Sequence, residues 1–425
     1  MIPQRTAGIL TVVLAAVVGA CDTAVVNPGP VTDSFLDNPE AHQALANGAM
    51  VQLAEALGAV AYTTGAVTRE IFPAGSTSAF GISANQQAGR LLFDDEHVSW
   101  TPHQRARNIA ETGFARFEES IGDASVRTYG PALDAALWAG YANRLLGEVF
   151  CQAVVDGGPL QPSTVFLERA EEWFTKAIDM AAAQNRAEVG LAALAGRASV
   201  RANLGKWGEA AADAAGVPDD FVFNMEYTTT ERDQYNRIYF ASADQPYRAH
   251  TVWNTFYEQY YKDTSDPRTP YLETDRDGDA ALGILGGERA SWYPQQKHDR
   301  EDAPIRLSSG WEMRLLEAEA LLVGGDWSAA LPLINKHRVA LGLQPWTANS
   351  LEEAWTVYKR ERGIELWLEG RRIADLRRWK ENNRPGDLHA LETAGHPSSY
   401  LSADQTLCYP VPKAEYETNP NLTLP

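Results

Sequence analysis

The segment from Tyr358 to Trp379, YKRERGIELWLEGRRIADLRRW, is dense in groups that could carry out acid–base chemistry or bind an anion. A catalytic carboxylate needs a pKa near the working pH, but arginines lie beside the acids here and keep them ionised. Like-charged residues four positions apart on a helix, such as Glu361 and Glu365, repel each other unless arginines from elsewhere reach them. We therefore predict a buried or half-buried structural ion-pair network that ties two helices together, formed by Arg362, Glu365, Glu369, Arg372, Asp375 and Arg378.

A second group of acids could bind a metal ion. The run DRDGD at 275–279 places three aspartates at alternate positions, as in a calcium-binding loop. The glycine that an EF-hand needs next is replaced by Ala280, and the bidentate glutamate of the twelfth position is missing. The run reads better as a solvated acidic turn. We predict no metal site and no cofactor, and leave calcium binding at this turn open.

The composition narrows the class of protein. The chain has 425 residues, 44% of them hydrophobic and 22% charged, which is ordinary for a globular protein. A formal net charge of −19 argues against nucleic-acid binding. No HExxH, GxSxG or phosphate-cradling loop is present, so the sequence indicates a protein that is not an enzyme.

The N-terminus indicates export. Residues 1–20 hold one arginine and an apolar run too short to span a bilayer permanently, and they are typical of a signal peptide. Val18-Gly19-Ala20-Cys21 resembles the lipobox of bacterial lipoproteins, in which the cysteine becomes the lipidated N-terminus. Residues 21–32 then form a short tether rich in proline. An ordinary cleaved signal followed by a chance cysteine is the alternative.

The two other cysteines, Cys151 and Cys408, form a natural pair in an oxidising compartment once Cys21 is lipidated. A disulfide between them would pin the C-terminal segment to an early helix. Two separate buried thiols are the alternative.

Most of the chain has the periodicity of helices, which predicts a mainly α fold. Apolar residues recur every three or four positions on both sides of Gly370, where we expect a kink or a break. We predict a single domain over 33–425. Its helical parts are 39–58, 101–215 and 310–380. Its irregular parts, with few short strands, are 59–100, 216–309 and 381–425.

Two turns in the helical parts repeat each other. Gly205-Lys206-Trp207 recurs as Gly325-Asp326-Trp327, and an alanine that would permit close helix packing follows each tryptophan by three residues, at Ala210 and Ala330. The pattern is similar to the tetratricopeptide repeat. We therefore expect several helical hairpins packed against the irregular half.

Several motifs together resemble the SusD/RagB family of outer-membrane nutrient-binding lipoproteins. The segment ERGIELWLEGRRIADLRRW looks like that family's C-terminal hallmark, and residues 312–338 look like its late helical hairpin. CYPVPKAEYETNPNL at 408–422 is similar to its closing segment. WYPQQK at 292–297 and Asp266-Pro267-Arg268 are also similar to parts of the family's middle region.

The resemblance implies a protein anchored to outer-membrane lipid through Cys21. It would capture an oligosaccharide or peptide and deliver it to a SusC-like TonB-dependent transporter, with the helical half facing the transporter and the irregular half holding the ligand. Only Asp22 follows Cys21 where an acidic cluster often directs export to the cell surface. A position facing the cell exterior is expected, but the sequence leaves this face of the membrane open.

Aromatic side chains in the irregular segments are the candidates for ligand binding, because a sugar ring packs its C–H face on an aromatic ring. Core packing is the competing interpretation, above all for tyrosines at helical spacing. A helical-repeat scaffold without its own small ligand and a surface hydrolase are the competing functions. The candidate ligand-binding residues are Trp100, Trp253, Tyr257, Tyr260, Trp292 and Tyr293.

Overall fold

A computed structural model describes residues 33–94, 100–243 and 247–424. The predicted signal peptide, the predicted tether and Cys21 lie outside the described residues. Within them the chain is mainly helical, as the periodicity predicts. The α-helices are α1 (Pro39–Val67), α2 (Ala84–Gln87), α3 (Trp100–Ile121), α4 (Asp123–Val126), α5 (Gly130–Val149), α6 (Thr164–Gln184), α7 (Ala187–Asn203), α8 (Trp207–Ala215), α9 (Arg237–Ser242), α10 (Phe256–Thr264), α11 (Gly310–Val323), α12 (Trp327–Ala340), α13 (Leu351–Glu365), α14 (Arg372–Glu381) and α15 (Lys413–Thr418).

The first long helix, α1, does not end at residue 58 as predicted but continues to Val67. Every residue from Ala56 to Val67 is buried, so this end of the helix has no polar face and no amphipathic period to detect. By length and composition α1 could cross a membrane, but it packs against α3, α5 and α14 and is a core helix of the domain.

The two repeated turns form the helical hairpins that the sequence predicts. Gly205 (φ +75°) and Gly325 (φ +85°) take the left-handed backbone conformation that ends α7 and α11, and glycine adopts it without strain. Ala210 and Ala330 are fully buried, which permits close approach of the paired helices. α8 also packs against α11, so the two hairpins are neighbours in space although they are far apart in the chain.

Within the described residues, six short strands pair in three antiparallel ladders. The strands are β1 (Phe72–Pro73), β2 (Gln152–Ala153), β3 (Gln161–Pro162), β4 (Val222–Met225), β5 (His250–Thr251) and β6 (Ile305–Ser309). The β4–β6 pair joins the two ends of the 216–309 segment, so that segment is an insertion closed at its base. Gly310 lies at this closure, where a Cβ atom would come 1.9 Å from the Pro218 carbonyl oxygen.

The β1–β5 pair brings the irregular segment that follows α1 against the insertion, with Phe72 opposite Thr251. The acidic run at 275–279 contributes to the same junction, because Asp279 Oδ1 accepts a hydrogen bond from the Ser76 amide at 2.6 Å. The two irregular segments therefore form one continuous side of the protein.

No group of three or more His, Cys, Asp or Glu side chains within the described ranges is arranged to hold a metal ion.

The C-terminal segment is tied to the end of α5. Cys151 and Cys408 form a disulfide, with Cα atoms 5.1 Å apart across 257 residues of sequence. The Cys151 amide donates to the Tyr409 carbonyl oxygen, and the Tyr409 amide donates to Val149. The closing segment is thus held by a covalent bond and by backbone hydrogen bonds.

Candidate ligand-binding site

The charged segment at 358–379 forms a helix, a break and a second helix. α13 ends at Glu365, and α14 begins at Arg372. Between them Gly370 takes φ +73° and lies against the backbone of α1, 3.3 Å from Ala61 Cα as measured from its ideal Cβ position. The break is therefore a close contact between the charged segment and the core helix.

The like-charged glutamates on α13 are neutralised by arginines from other parts of the chain. Arg268 Nη1 lies 2.7 Å from Glu361 and 2.9 Å from Glu365, so one guanidinium bridges the repelling pair. Arg306 lies 3.1 Å from Glu365 and 2.5 Å from Glu369. Burial alone would raise the pKa of Glu365, but the hydrogen bond from His337 and these charges hold it well below its usual range. This carboxylate is permanently ionised and structural.

The second half of the segment connects three helices through buried ion pairs. Arg362 on α13 lies 2.7 Å from Asp375 on α14, and Arg378 lies 2.9 Å from the same aspartate and 2.8 Å from Glu319 on α11. Arg372 pairs with Glu392 at 2.7 Å. These side chains are at least nine-tenths buried. The segment locks the helical core together and offers no acid poised for catalysis.

Four of the six predicted ligand-binding aromatics are in the core. Tyr257 is fully buried and stacks on Trp367 with ring centres 5.2 Å apart. Trp292 is 1% exposed. Since neither ring has a face open to solvent, neither can serve as a sugar platform in this structure, and the expectation for both is wrong.

The predicted ligand-binding roles of Trp100 and Tyr260 are corrected as well, because both side chains are more than nine-tenths buried. The indole of Trp100 packs edge-on against Phe150 at 4.7 Å and donates to Glu415 at 3.2 Å. The Tyr260 hydroxyl donates to Asp266 at 2.5 Å, on the edge of the ion-pair network. The tyrosines at helical spacing on α10 therefore pack inward, which was the competing interpretation.

Trp253 and Tyr293 remain partly exposed on the irregular side. Trp253 meets the buried Phe72 edge-on at 5.5 Å, and Tyr400, itself 39% exposed, meets Phe72 at 5.7 Å. Tyr293 stacks on Tyr271 at 5.8 Å. Both rings are supported from behind, and their use by a ligand stays a prediction.

A pocket that the sequence did not indicate lies where the two irregular segments meet. It has a volume of about 260 Å³. We call it the aromatic pocket, because four aromatic side chains line it, with Arg232 and Arg237 beside them: Phe80, Tyr235, Phe240 and Tyr247. Phe80 lies 5.6 Å from Phe240 and 5.5 Å from Tyr247, ring centre to ring centre. Phe240, Tyr247 and Tyr235 are partly exposed, so ring surface faces the pocket.

The polar groups of the aromatic pocket are held in place by their neighbours. Arg232 lies 5.0 Å from the centre of the Phe240 ring and donates to the Tyr247 hydroxyl at 3.2 Å. Arg237 donates to the Phe80 carbonyl oxygen at 2.7 Å, while its buried Nε has no hydrogen-bond partner within the described part of the chain. Such a donor beside aromatic rings suits a ligand that carries hydroxyl oxygens.

Two local structures position these side chains. Asn236 begins α9, where its Oδ1 accepts from the amides of Ile238 and Tyr239 at 3.0 Å. Its side-chain amide nitrogen donates to the Ala303 carbonyl oxygen at 2.7 Å, which fixes the start of the helix to a later part of the insertion. Phe80 ends the short 3-10 helix Thr77–Phe80, and Gly81 follows with φ +80°.

Comparison with known proteins supports the fold. A SusD homolog from Bacteroides thetaiotaomicron matches with a TM-score of 0.65 and 16% identity, over 92% of this chain and 98% of that one. A SusD-like carbohydrate-binding protein from Bacteroides vulgatus matches with a TM-score of 0.62 and 14% identity, over 90% and 97%. A structure with a xylogluco-oligosaccharide matches with a TM-score of 0.59 and 13% identity, over 81% and 84%. No curated protein sequence matches the chain.

The sequence itself also matches a family model. The model of the SusD family covers residues 219–423, which include nearly all of the insertion, the late hairpin α11–α12, the charged segment and the closing segment. The helical fold, with its loop-rich side, is shared over most of the chain with several solved SusD-like proteins. Residues 219–423 therefore belong to the SusD/RagB family, and most of the chain has the fold of solved SusD-like proteins.

Proposed function

We propose that the protein is a non-enzymatic, lipid-anchored outer-membrane protein that captures an oligosaccharide in the aromatic pocket and delivers it to a SusC-like TonB-dependent transporter. The observation that carries the proposal is the pocket itself, in which partly exposed rings and two arginines meet on the irregular side. Aromatic faces bind the C–H surface of a sugar, and arginines donate to its hydroxyl groups. Two structural relatives, a carbohydrate-binding protein and a structure with a xylogluco-oligosaccharide, support this ligand class.

Isothermal titration with a panel of neutral oligosaccharides, including a xyloglucan fragment, tests ligand capture. The variant Phe240→Ala removes a ring that lines the pocket, and we expect at least about a fivefold loss of affinity. Phe35→Ala is the matched control, because Phe35 is 44% exposed and lies outside the pocket. Equal affinity for both variants and the unchanged protein would reject the pocket as the sugar site.

Removing a second side chain separates ligand contact from packing. Arg232 is exposed and contacts the pocket through the Phe240 ring and the Tyr247 hydroxyl. Arg232→Gln should therefore weaken sugar binding without lowering the melting temperature. If only Phe240→Ala has an effect, and its melting temperature falls in parallel, the pocket is a packing feature.

The anchor and the partner need their own experiment, since Cys21 lies outside the described residues. Affinity purification from the native envelope, followed by mass spectrometry, should recover a TonB-dependent barrel in near-stoichiometric amount. Cys21→Ser should shift the protein from the membrane fraction to the soluble fraction. Recovery of periplasmic proteins without a barrel would instead favour the helical-repeat scaffold.

A further inference from the structure

A second cleft, separate from the aromatic pocket, lies between the charged segment and the C-terminal loops. Its volume is about 690 Å³, within the range of small-molecule sites. One wall is apolar and includes Leu376, Trp379, Leu388 and Leu407. We call this second cleft the C-terminal cleft. Four cationic side chains also line it: Lys359, Arg360, Lys380 and Arg384.

Lys359 is the central cation of the cleft. It is 5% exposed, and no carboxylate within the described ranges lies within ion-pair distance of its Nζ. Among the described residues, its ammonium donates only to the carbonyl oxygens of Gly386 at 2.7 Å and Arg384 at 3.3 Å. Burial, with the charge of Arg372, lowers the pKa of Lys359 to about 8. A buried ammonium of this kind is stabilised by any anion that enters the cleft.

Arg360 provides an independent observation. Its side chain forms no ion pair or hydrogen bond with any residue that the structure describes, and its buried Nε has no acceptor among them. The guanidinium of Arg384 likewise has no carboxylate partner in the described part of the chain, and it lies 5.9 Å from the centre of the Trp355 ring. An arginine with unused donors is the group that binds carboxylates and sulfates in a bidentate way.

No acid among the described residues pairs directly with these cations, although the charge of Asp387 acts on Lys359 from beyond ion-pair distance. Glu392 is already paired with Arg372, and Asp387 is exposed and forms no ion pair within the described ranges. The protein as a whole carries a formal charge of −19. An excess of unpaired positive charge in one cleft of so acidic a chain indicates a place for a negative ligand.

The loop that forms the cleft is built onto α13. Gly386 packs so closely on that helix that a Cβ atom would come 2.6 Å from the Thr356 amide nitrogen. The Asp387 amide donates to the Thr356 hydroxyl at 2.9 Å. These contacts hold the Gly386 carbonyl against Lys359, so the cleft is preorganised.

We propose that the C-terminal cleft binds an oxyanion, a carboxylate or a sulfate ester, carried by a molecule about the size of one or two sugar rings. The anion contacts the Arg360 guanidinium and lies near the Lys359 ammonium. The body of the ligand packs along the apolar wall of Leu376, Leu388 and Leu407. This site is distinct from the aromatic pocket and does not depend on it.

Isothermal titration of the full folded domain with glucuronate, glucose 6-sulfate and glucose tests the proposal. We expect at least one of the two anionic sugars to bind about tenfold more tightly than glucose, because a charge-assisted hydrogen bond is added. Which of the two binds identifies the oxyanion. If neither binds more tightly than glucose, or if inorganic sulfate alone binds as tightly, the proposal is overturned.

Variants locate the site. Arg360→Gln should remove most of the preference for the anionic sugar, while Arg300→Gln, which makes the same change of charge at an exposed position outside the cleft, should not. Phe240→Ala should leave anionic binding intact, so failure of the aromatic pocket and failure of the C-terminal cleft can be told apart. Unchanged affinity in Arg360→Gln would overturn the assignment of the cleft.

Discussion

Glu70 is a buried carboxylate without an ion-pair partner among the described residues, and its removal tests the electrostatics of the core. It follows α1 and is fully buried. One of its oxygens accepts from the Leu368 amide at 2.8 Å, and the other lies 3.4 Å from the Thr68 hydroxyl. Burial raises the pKa of Glu70 to about 7, although the Leu368 hydrogen bond and the charge of Arg372 partly oppose it.

The sign of the pH dependence follows from this raised pKa. The unfolded chain loses this proton near pH 4.5, and the folded protein loses it only near pH 7. Stability from this group is therefore complete below about pH 4.5 and is lost as the pH rises to about 7. At about 1.4 kcal/mol per pH unit, the loss amounts to about 3 kcal/mol above pH 7.

The variant Glu70→Gln keeps an oxygen that can accept from Leu368 but cannot ionise. We expect it to raise the free energy of unfolding by about 2–3 kcal/mol at pH 8 and to change it little at pH 5. Urea unfolding of the variant and the unchanged protein at both pH values measures this difference. Glu119→Gln, at an exposed position of α3, is the control and should give no such pH-dependent difference.

The reasoning would be refuted by a stability difference that is the same at pH 5 and pH 8. A uniform loss would mean that the amide does not fit the site. A uniform difference of either sign would mean that Glu70 has the same pKa in the folded protein as in the unfolded chain, so that it is already ionised at both pH values.

Two further predictions concern the same core. Arg268→Met should lower the free energy of unfolding by about 3–5 kcal/mol, because it leaves the buried Asp266 without its ion-pair partner among the described residues and removes one of the cations that pair with Glu361 and Glu365. Arg300→Gln should change it by less than about 1 kcal/mol. Chemical denaturation measures both, and a near-neutral Arg268→Met would show that the network is not stabilising. Gly310→Ala should cost at least about 1–3 kcal/mol because its Cβ meets the Pro218 carbonyl, while Gly208→Ala, in open space near the start of α8, should be neutral or stabilising. Thermal unfolding compares the two alanine variants, and equal melting temperatures would contradict the close approach at Gly310.

Much of the helical framework could be predicted because its signals are local. A left-handed glycine, an aromatic two residues later and a small alanine three residues after that specify a hairpin wherever they occur, as at Gly205 and Gly325. The charged segment could be interpreted for a related reason. Two glutamates four residues apart on a helix require cations from elsewhere, and Arg268 and Arg306 are those cations.

The ligand side could not be predicted in this way, because exposure is decided by long-range pairing. Tyr257 is buried since Trp367 packs on it, and Phe240 is partly open since the insertion folds back on itself. Both residues have the same kind of aromatic side chain in the same irregular segment. What separates them is the β1–β5 pairing, which brings Phe80 to Phe240 across 160 positions of sequence and leaves no periodic mark on either segment. A site assembled from two segments so far apart in the sequence is therefore visible only in the fold.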